Sequence, residues 1–185
     1  MASEALGLPA TSGQSMCVVE RAREKLTEAL LERSESRCHQ LIFDLFMAGQ
    51  RPSVICDEVV AEASADIGDR WVCGGAEVYQ ERRGCELALH ILRELQALLA
   101  PVGETGILAL GGASTSDQYS LGTRMVELVV GDAKWNAVSL GGNLPFGTLE
   151  AAIANNRTKL FWLSCSHIMD PGEFLAGYSA LYERV

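Results

Sequence analysis

Glu81 is the first residue whose position asks for a chemical explanation. It stands seven residues before Ala88 and fourteen before Leu95. That heptad spacing places a carboxylate on the apolar stripe of an amphipathic helix. A carboxylate taken out of water is costly unless it finds a partner or a ligand. Gly84, Cys85 and Ala88 are small enough to leave space beside it, while Arg82 and Arg83 offer ion pairs. Trp71, at the end of the preceding helical pattern, can cap a core or present a flat apolar face to a planar ligand. His39 and His90 fall within helical segments and read as surface or internally satisfied groups. His167 follows an apolar run and faces a prospective site, which makes it the most informative of the three.

Three Gly- and Ser-rich segments form the second group: Gly111–Ser120, Gly141–Pro145 and Ser164–Asp170. Glycine lets backbone approach a ligand closely, and serine supplies hydroxyls. Turns need the same residues, so composition alone leaves a binding and a purely structural reading open. There is no GxGxxG and no Gly-Lys-Ser/Thr, which removes the usual phosphate cradles. Six cysteines are present without a CxxC pair, so zinc-ribbon spacing is absent and no metal ligands are assigned. They read as small buried hydrophobes in a reducing cytoplasm.

The elements that must position these residues follow from hydrophobic periodicity. Residues 1–15 read as a disordered lead. Residues 16–101 read as a four-helix bundle. Leu41, Ile42, Leu45 and Phe46 form one apolar stripe, and Ile55, Val59, Ala63, Ile67 and Trp71 another at steps of four. Gly49, Gly74-Gly75 and Pro101 with Gly103 punctuate the helices. From residue 104 to 185 the pattern alternates strand and helix. Strands are expected at Ile107–Leu110, Trp135–Leu140 and Leu160–Leu163, with helices at Leu121–Val130, Phe146–Asn155 and Glu173–Arg184. That is the signature of βαβ units and a parallel sheet. The fold class is therefore α/β, a helical bundle followed by a Rossmann-like (flavodoxin-like) domain. In such sheets ligands bind beyond the carboxyl ends of the strands, and all three Gly/Ser-rich segments lie there. Three strands are fewer than the roughly five usual in a doubly wound sheet. The domain thus reads as C-terminally truncated or completed by another chain, with an open edge at Leu160–Ser166 through which copies would associate.

Bulk properties narrow the function. The formal net charge is −9, from 24 acidic and 15 basic residues. An acidic surface repels phosphate backbones, so direct nucleic-acid binding by this chain is not expected. No apolar run is long enough to span a membrane, and no basic segment precedes an apolar stretch at the start. A cytoplasmic location is expected.

Taken in order, the motifs resemble one family: the helical cap plus cobalamin-binding domain of light-sensing, cobalamin-dependent transcription regulators and of corrinoid carrier proteins. The resemblance spans residues 16–185. In that family a Trp, nine further residues and then Glu-His cover the upper face of the corrin. Here Trp71 and Glu81 match, and Arg82 replaces the His. The family's Asp-x-His-x-x-Gly, whose His ligates cobalt from below, corresponds to Asp117–Gly122 with Tyr119 in place of the His. Gly141 falls in the family's Leu-Gly-x-x-x-Pro turn, and Ser164 and Ser166 fall where its Ser motif lines the groove for the nucleotide tail. The resemblance thus implies Trp71 and Glu81 above the corrin, and Asp117, Tyr119 and Gly122 below it. A phenol with a pKa of about 10 stays protonated near neutral pH, so cobalt ligation by a histidine of this loop is not expected. The implied function is a cobalamin-binding, or cobalamin-binding-like, sensor or regulatory module in transcriptional control, not an enzyme. A corrinoid carrier for methyl transfer and a cofactor-free scaffold are the alternatives. The implied partners are cobalamin or another planar small molecule, and a regulatory protein or a second copy of the chain; any DNA contact would come from a partner.

Overall fold

A computed structural model describes residues 12–75, 77–99 and 106–184. The chain divides between Gly84 and Cys85 into two compact units. Residues 1–11 of the expected lead lie outside the described residues, and α1 begins at Ser12. Pro101 and Gly103 also lie outside them.

In the first unit, α1 (Ser12–Leu31) and α2 (Glu35–Met47) are followed by a continuous helical path. That path comprises α3 (Pro52–Val54), a π-helical segment (Ile55–Ala61) and α4 (Glu62–Val72). Then α5 (Val78–Leu98) begins and carries across the division. Gly49, at φ +86°, ends α2. Its N–H reaches Phe46 O at 2.9 Å, and the Gln50 N–H reaches Leu45 O at 3.0 Å, which satisfies the last carbonyls. Pro52 then starts the next helix, where its missing N–H costs nothing. Val19, Ala22, Leu26, Ala29 and Leu30 of α1 are buried, as are Cys38, Ile42 and Leu45 of α2. So are Ile55, Val59, Ala63 and Ile67. Thr27, fully buried, donates to Arg23 O at 3.1 Å and lies 3.5 Å from Asp66, while Arg23 pairs with Glu62 and Asp66 at 3.8 Å, tying α1 to α4.

The stripe at steps of four holds from Ile55 to Ile67 and fails at Trp71, which is 49% exposed. Four residues overrun the 3.6-residue α turn, so such a stripe drifts around a regular helix. The wider π turn over Ile55–Ala61 drifts the other way and keeps Ile55, Val59 and Ala63 in line. Once α geometry resumes, the drift carries Trp71 to the surface. The cysteines also depart from expectation. Cys38 and Cys56 are buried, but Cys17, Cys73 and Cys165 are exposed and Cys85 is half-buried.

The second unit contains a three-stranded parallel sheet in the order β2-β1-β3, formed by β1 (Leu108–Ala113), β2 (Asn136–Ser139) and β3 (Leu160–Ser164). α6 (Leu121–Asp132) covers one face. α7 (Phe146–Asn156) and α8 (Pro171–Arg184) belong to the other, where Leu149, Ile153 and Leu181 form a core with Phe161 and Leu163. The expected Rossmann-like architecture is present. β1 runs three residues further than expected, because Gly111 and Gly112 lie inside the strand rather than beyond it. Their missing side chains are replaced by neighbours. A Cβ on Gly111 would meet the Trp162 indole at 2.0 Å, and one on Gly112 would meet Leu144 at 3.0 Å.

Candidate functional site

The three strand exits are bound together through one residue. Asp117 follows β1 and is fully buried. Its Oδ1 accepts the Tyr119 N–H at 3.0 Å, and its Oδ2 accepts the Ser166 N–H, beyond β3, at 2.5 Å. Its own carbonyl accepts the Asn143 N–H, beyond β2, at 2.7 Å. Each bond gives a loop N–H a fixed partner within the fold, the two to the carboxylate being partly buried. A carboxylate receiving two such donors is stabilised well beyond a neutral acceptor.

The exits of β1 and β2 are joined further. The Ala113 N–H donates to Gly141 O at 2.9 Å, the Leu144 N–H to Ala113 O at 3.0 Å, and the Ser116 N–H to the side-chain oxygen of Asn143 at 3.0 Å. Gly141 has φ +89°, a left-handed conformation that favours glycine, and Asn143 and Ser116 adopt positive φ of 57° and 74°. A Cβ on Gly142 would lie 2.8 Å from Asp117 O. The loops are therefore a cross-braced platform. A small cavity of about 30 Å³ lies there, lined by Thr115, Ser116, Phe146, Ile168, Met169 and Asp170. It suits a water or two.

The site residues expected from sequence fall into two groups, one in each unit. In the first unit, Trp71 ends α4 half-exposed, and Glu81 lies in the first turns of α5. The Glu81 side chain is 16% exposed, with the Nε of Arg82 at 3.7 Å, so the ion pair offered by sequence is present. Gly84 leaves room on α5 for Ile67 and Leu30, which lie 3.7 and 3.8 Å from where its Cβ would be. In the second unit, Asp117, Tyr119, Gly141, Ser166 and His167 are at the exits. Tyr119 is half-buried; Ser166 and His167 are exposed. Gly122 starts α6 against the end of β3, with Ser164 Oγ 2.8 Å from the position of its missing Cβ. Burial and the neighbouring Asp117 carboxylate raise the Cys165 thiol above its ordinary pKa.

A buried polar chain on the α6 side of the sheet was not anticipated. The Trp162 indole N–H donates to Thr123 Oγ1 at 2.9 Å, and Thr123 shares a 3.1 Å hydrogen bond with Ser139 Oγ. The Ser139 N–H donates to Glu127 at 3.0 Å, and Arg124 pairs with Glu127 at 2.6 Å. Thr123 and Glu127 are one helical turn apart, a spacing visible in the sequence. The partners come from other strands, so spacing alone could not supply them.

The comparison that bears on identity concerns the helical region. Residues 22–96 match the family model of the B12 binding domain. The match covers α2, the π segment, α4 and nearly all of α5. The cap-and-cobalamin-domain resemblance read from the motifs therefore stands, and cobalamin is supported as the cofactor. Among solved structures, the chain is similar to the monomethylamine corrinoid protein of Methanosarcina barkeri, at 18% identity and TM-score 0.66, over 89% of this chain and 76% of that one. At that identity the likeness shows the fold. A cobalamin-binding protein of Desulfitobacterium hafniense matches at 12% identity and TM-score 0.41, over 85% of this chain and 75% of that one. The methanol:cobalamin methyltransferase complex of Methanosarcina barkeri matches at 14% identity and TM-score 0.41, over 98% and 72%. No curated protein matches significantly.

The B12 binding domain family implies a corrinoid, and the residues present fit it in part. The braced platform at the strand exits offers a broad surface with hydroxyl and backbone groups. Two features do not fit the extended mode that the resemblance implies. A phenol stands at position 119 where the resemblance places an imidazole, and the α6 face of the sheet over Gly111 is filled by the Trp162 indole.

Proposed function

We propose that the chain is a cobalamin-binding regulatory module that reports the state of its cofactor to a partner protein and performs no reaction of its own. The observation that carries this reading is the match of residues 22–96 to the B12 binding domain, in a chain whose strand exits are braced into one platform by Asp117. When bound, the corrinoid would supply a cobalt centre able to exchange ligands. The chain's residues orient the ring and exclude water from it. Tyr119 with the neighbouring exit loop is assigned to its lower face. Tyr119 favours regulation over methyl carriage, because a carrier must support cobalt through changes of oxidation state, and a phenol is a poorer ligand than an imidazole for that work.

Absorbance titration with hydroxocobalamin, methylcobalamin and adenosylcobalamin tests this. A saturable change in the corrin spectrum with at least one of them is expected. No change with any of the three would overturn the reading and leave a scaffold without cofactor.

A further inference from the structure

The α6 face of the sheet carries an aromatic ring where the backbone provides space for one. Three residues stand side by side in register across the strands: Trp162 in β3, Gly111 in β1 and Ser139 in β2. The Trp162 side chain does not stand up from β3 but lies over Gly111. The nearest indole atoms are 2.0 to 2.3 Å from where a Cβ on Gly111 would be, so only glycine there admits the ring. At its far edge the indole N–H donates to the buried hydroxyl of Thr123 at 2.9 Å. The ring is only partly buried, so the slot opens to solvent.

Indole and benzimidazole have the same fused five- and six-membered shape. The slot is thus matched to the base of a cobalamin nucleotide tail, and Thr123 Oγ1 can donate to the ring nitrogen that ribose does not occupy. We propose that Trp162 is a specificity-determining plug. It occupies the slot that would take that base, so the chain accepts corrinoids whose base stays on cobalt or is missing, and disfavours the extended form. This inference rests on the corrinoid reading above, but the slot itself can be probed without cobalt.

The test uses the full chain and the variants Trp162→Ala and Trp162→Leu, each checked for folding by circular dichroism. Calorimetric titration with benzimidazole should give no binding to the parent chain and submillimolar binding to Trp162→Ala. Absorbance titration with hydroxocobalamin and with cobinamide, which lacks the base, gives the selectivity. The ratio of cobalamin to cobinamide affinity should rise at least tenfold in Trp162→Ala, with the bound cobalamin spectrum shifting to the form without base on cobalt. Trp162→Leu empties part of the slot and should raise the ratio by a smaller factor; it keeps the test open should Trp162→Ala not fold. A folded Trp162→Ala that ignores benzimidazole and keeps the parent's ratio would overturn the plug. Benzimidazole binding to Trp162→Ala without corrinoid binding to any variant would confirm the slot while overturning the corrinoid reading and the selectivity built on it.

Discussion

The N–H of Ser166 donates to Asp117 Oδ2 across 2.5 Å, joining two loops that are 49 residues apart in the chain. The same carboxylate holds the Tyr119 N–H, and the Asp117 carbonyl holds Asn143. A residue in a position that could contact ligand is thereby given over to fixing the loops that would. Asp117 shapes the platform from within, while Tyr119 is half-buried and Ser166 and His167 are exposed.

Asp117→Asn should therefore loosen the platform without touching the strands. The amide keeps one acceptor but turns an N–H₂ toward one of two backbone donors. A fully buried donor left unpaired costs about 1–3 kcal/mol, and these partly buried donors set the loss at or below the lower end of that range. Urea unfolding should show a loss of that order, and hydrogen exchange should quicken first at the amides of Tyr119 and Ser166. Unchanged exchange at both would mean that the loops are held by other contacts.

Gly111 and Trp162 should be energetically coupled. Gly111→Ala drives a methyl into the indole, and overpacking of this kind typically costs about 1–3 kcal/mol. Trp162→Ala removes the obstacle. In a double-mutant cycle, Gly111→Ala should be far less harmful in the Trp162→Ala background, giving a coupling energy of about 0.5–3 kcal/mol. Additive effects would show that the indole can leave Gly111 at no cost.

Tyr119→His tests the lower-face assignment. Imidazole, with an ordinary pKa of about 6.5, is available as a neutral ligand near pH 7. The variant should bind cobinamide, which has no base to compete for cobalt, more tightly and shift its spectrum relative to the parent. If the parent binds and the variant matches it in both respects, Tyr119 does not face cobalt.

The alternation of short apolar runs with amphipathic helices made the second unit legible, because parallel strands joined by helices leave that periodicity whatever their detailed packing. The exits were legible for the same reason: each is a Gly/Ser-rich segment after a strand. Gly111 and Gly112 read from sequence as turn residues beyond β1, because nothing in residue type reveals that Trp162 and Leu144 fill their space. The part played by Asp117 was hidden because its partners are backbone amides of distant loops, which leave no trace in side-chain type. The π segment was hidden similarly. Its sequence, Ile-Cys-Asp-Glu-Val-Val-Ala, carries no breaker, and only the stripe at steps of four hinted at a turn wider than α.

The buried thiols set the response to alkali. Burial pushes Cys38 up to about 11 and Cys56 up to about 12, from an ordinary value of 9.0. In the unfolded chain both ionise near 9.0, whereas in the folded chain they keep their protons. Below pH 9 each is protonated in both states, so stability does not depend on them. Between pH 9 and the folded values the unfolded chain binds fewer protons than the folded one, and stability falls as pH rises. The melting temperature should drop more steeply above pH 9 for the parent than for Cys56→Ala, whose own stability is lower at neutral pH because a small cavity is opened. Iodoacetamide labelling at pH 8 supplies an independent check, since the thiolate is the reactive form. Cys17 and Cys73 are exposed and should label in the native state, whereas Cys38 and Cys56 should label only on unfolding. Equal alkaline slopes for parent and variant, together with rapid native labelling of Cys56, would show that the helix around Ile55–Ala61 opens far more readily than its burial implies.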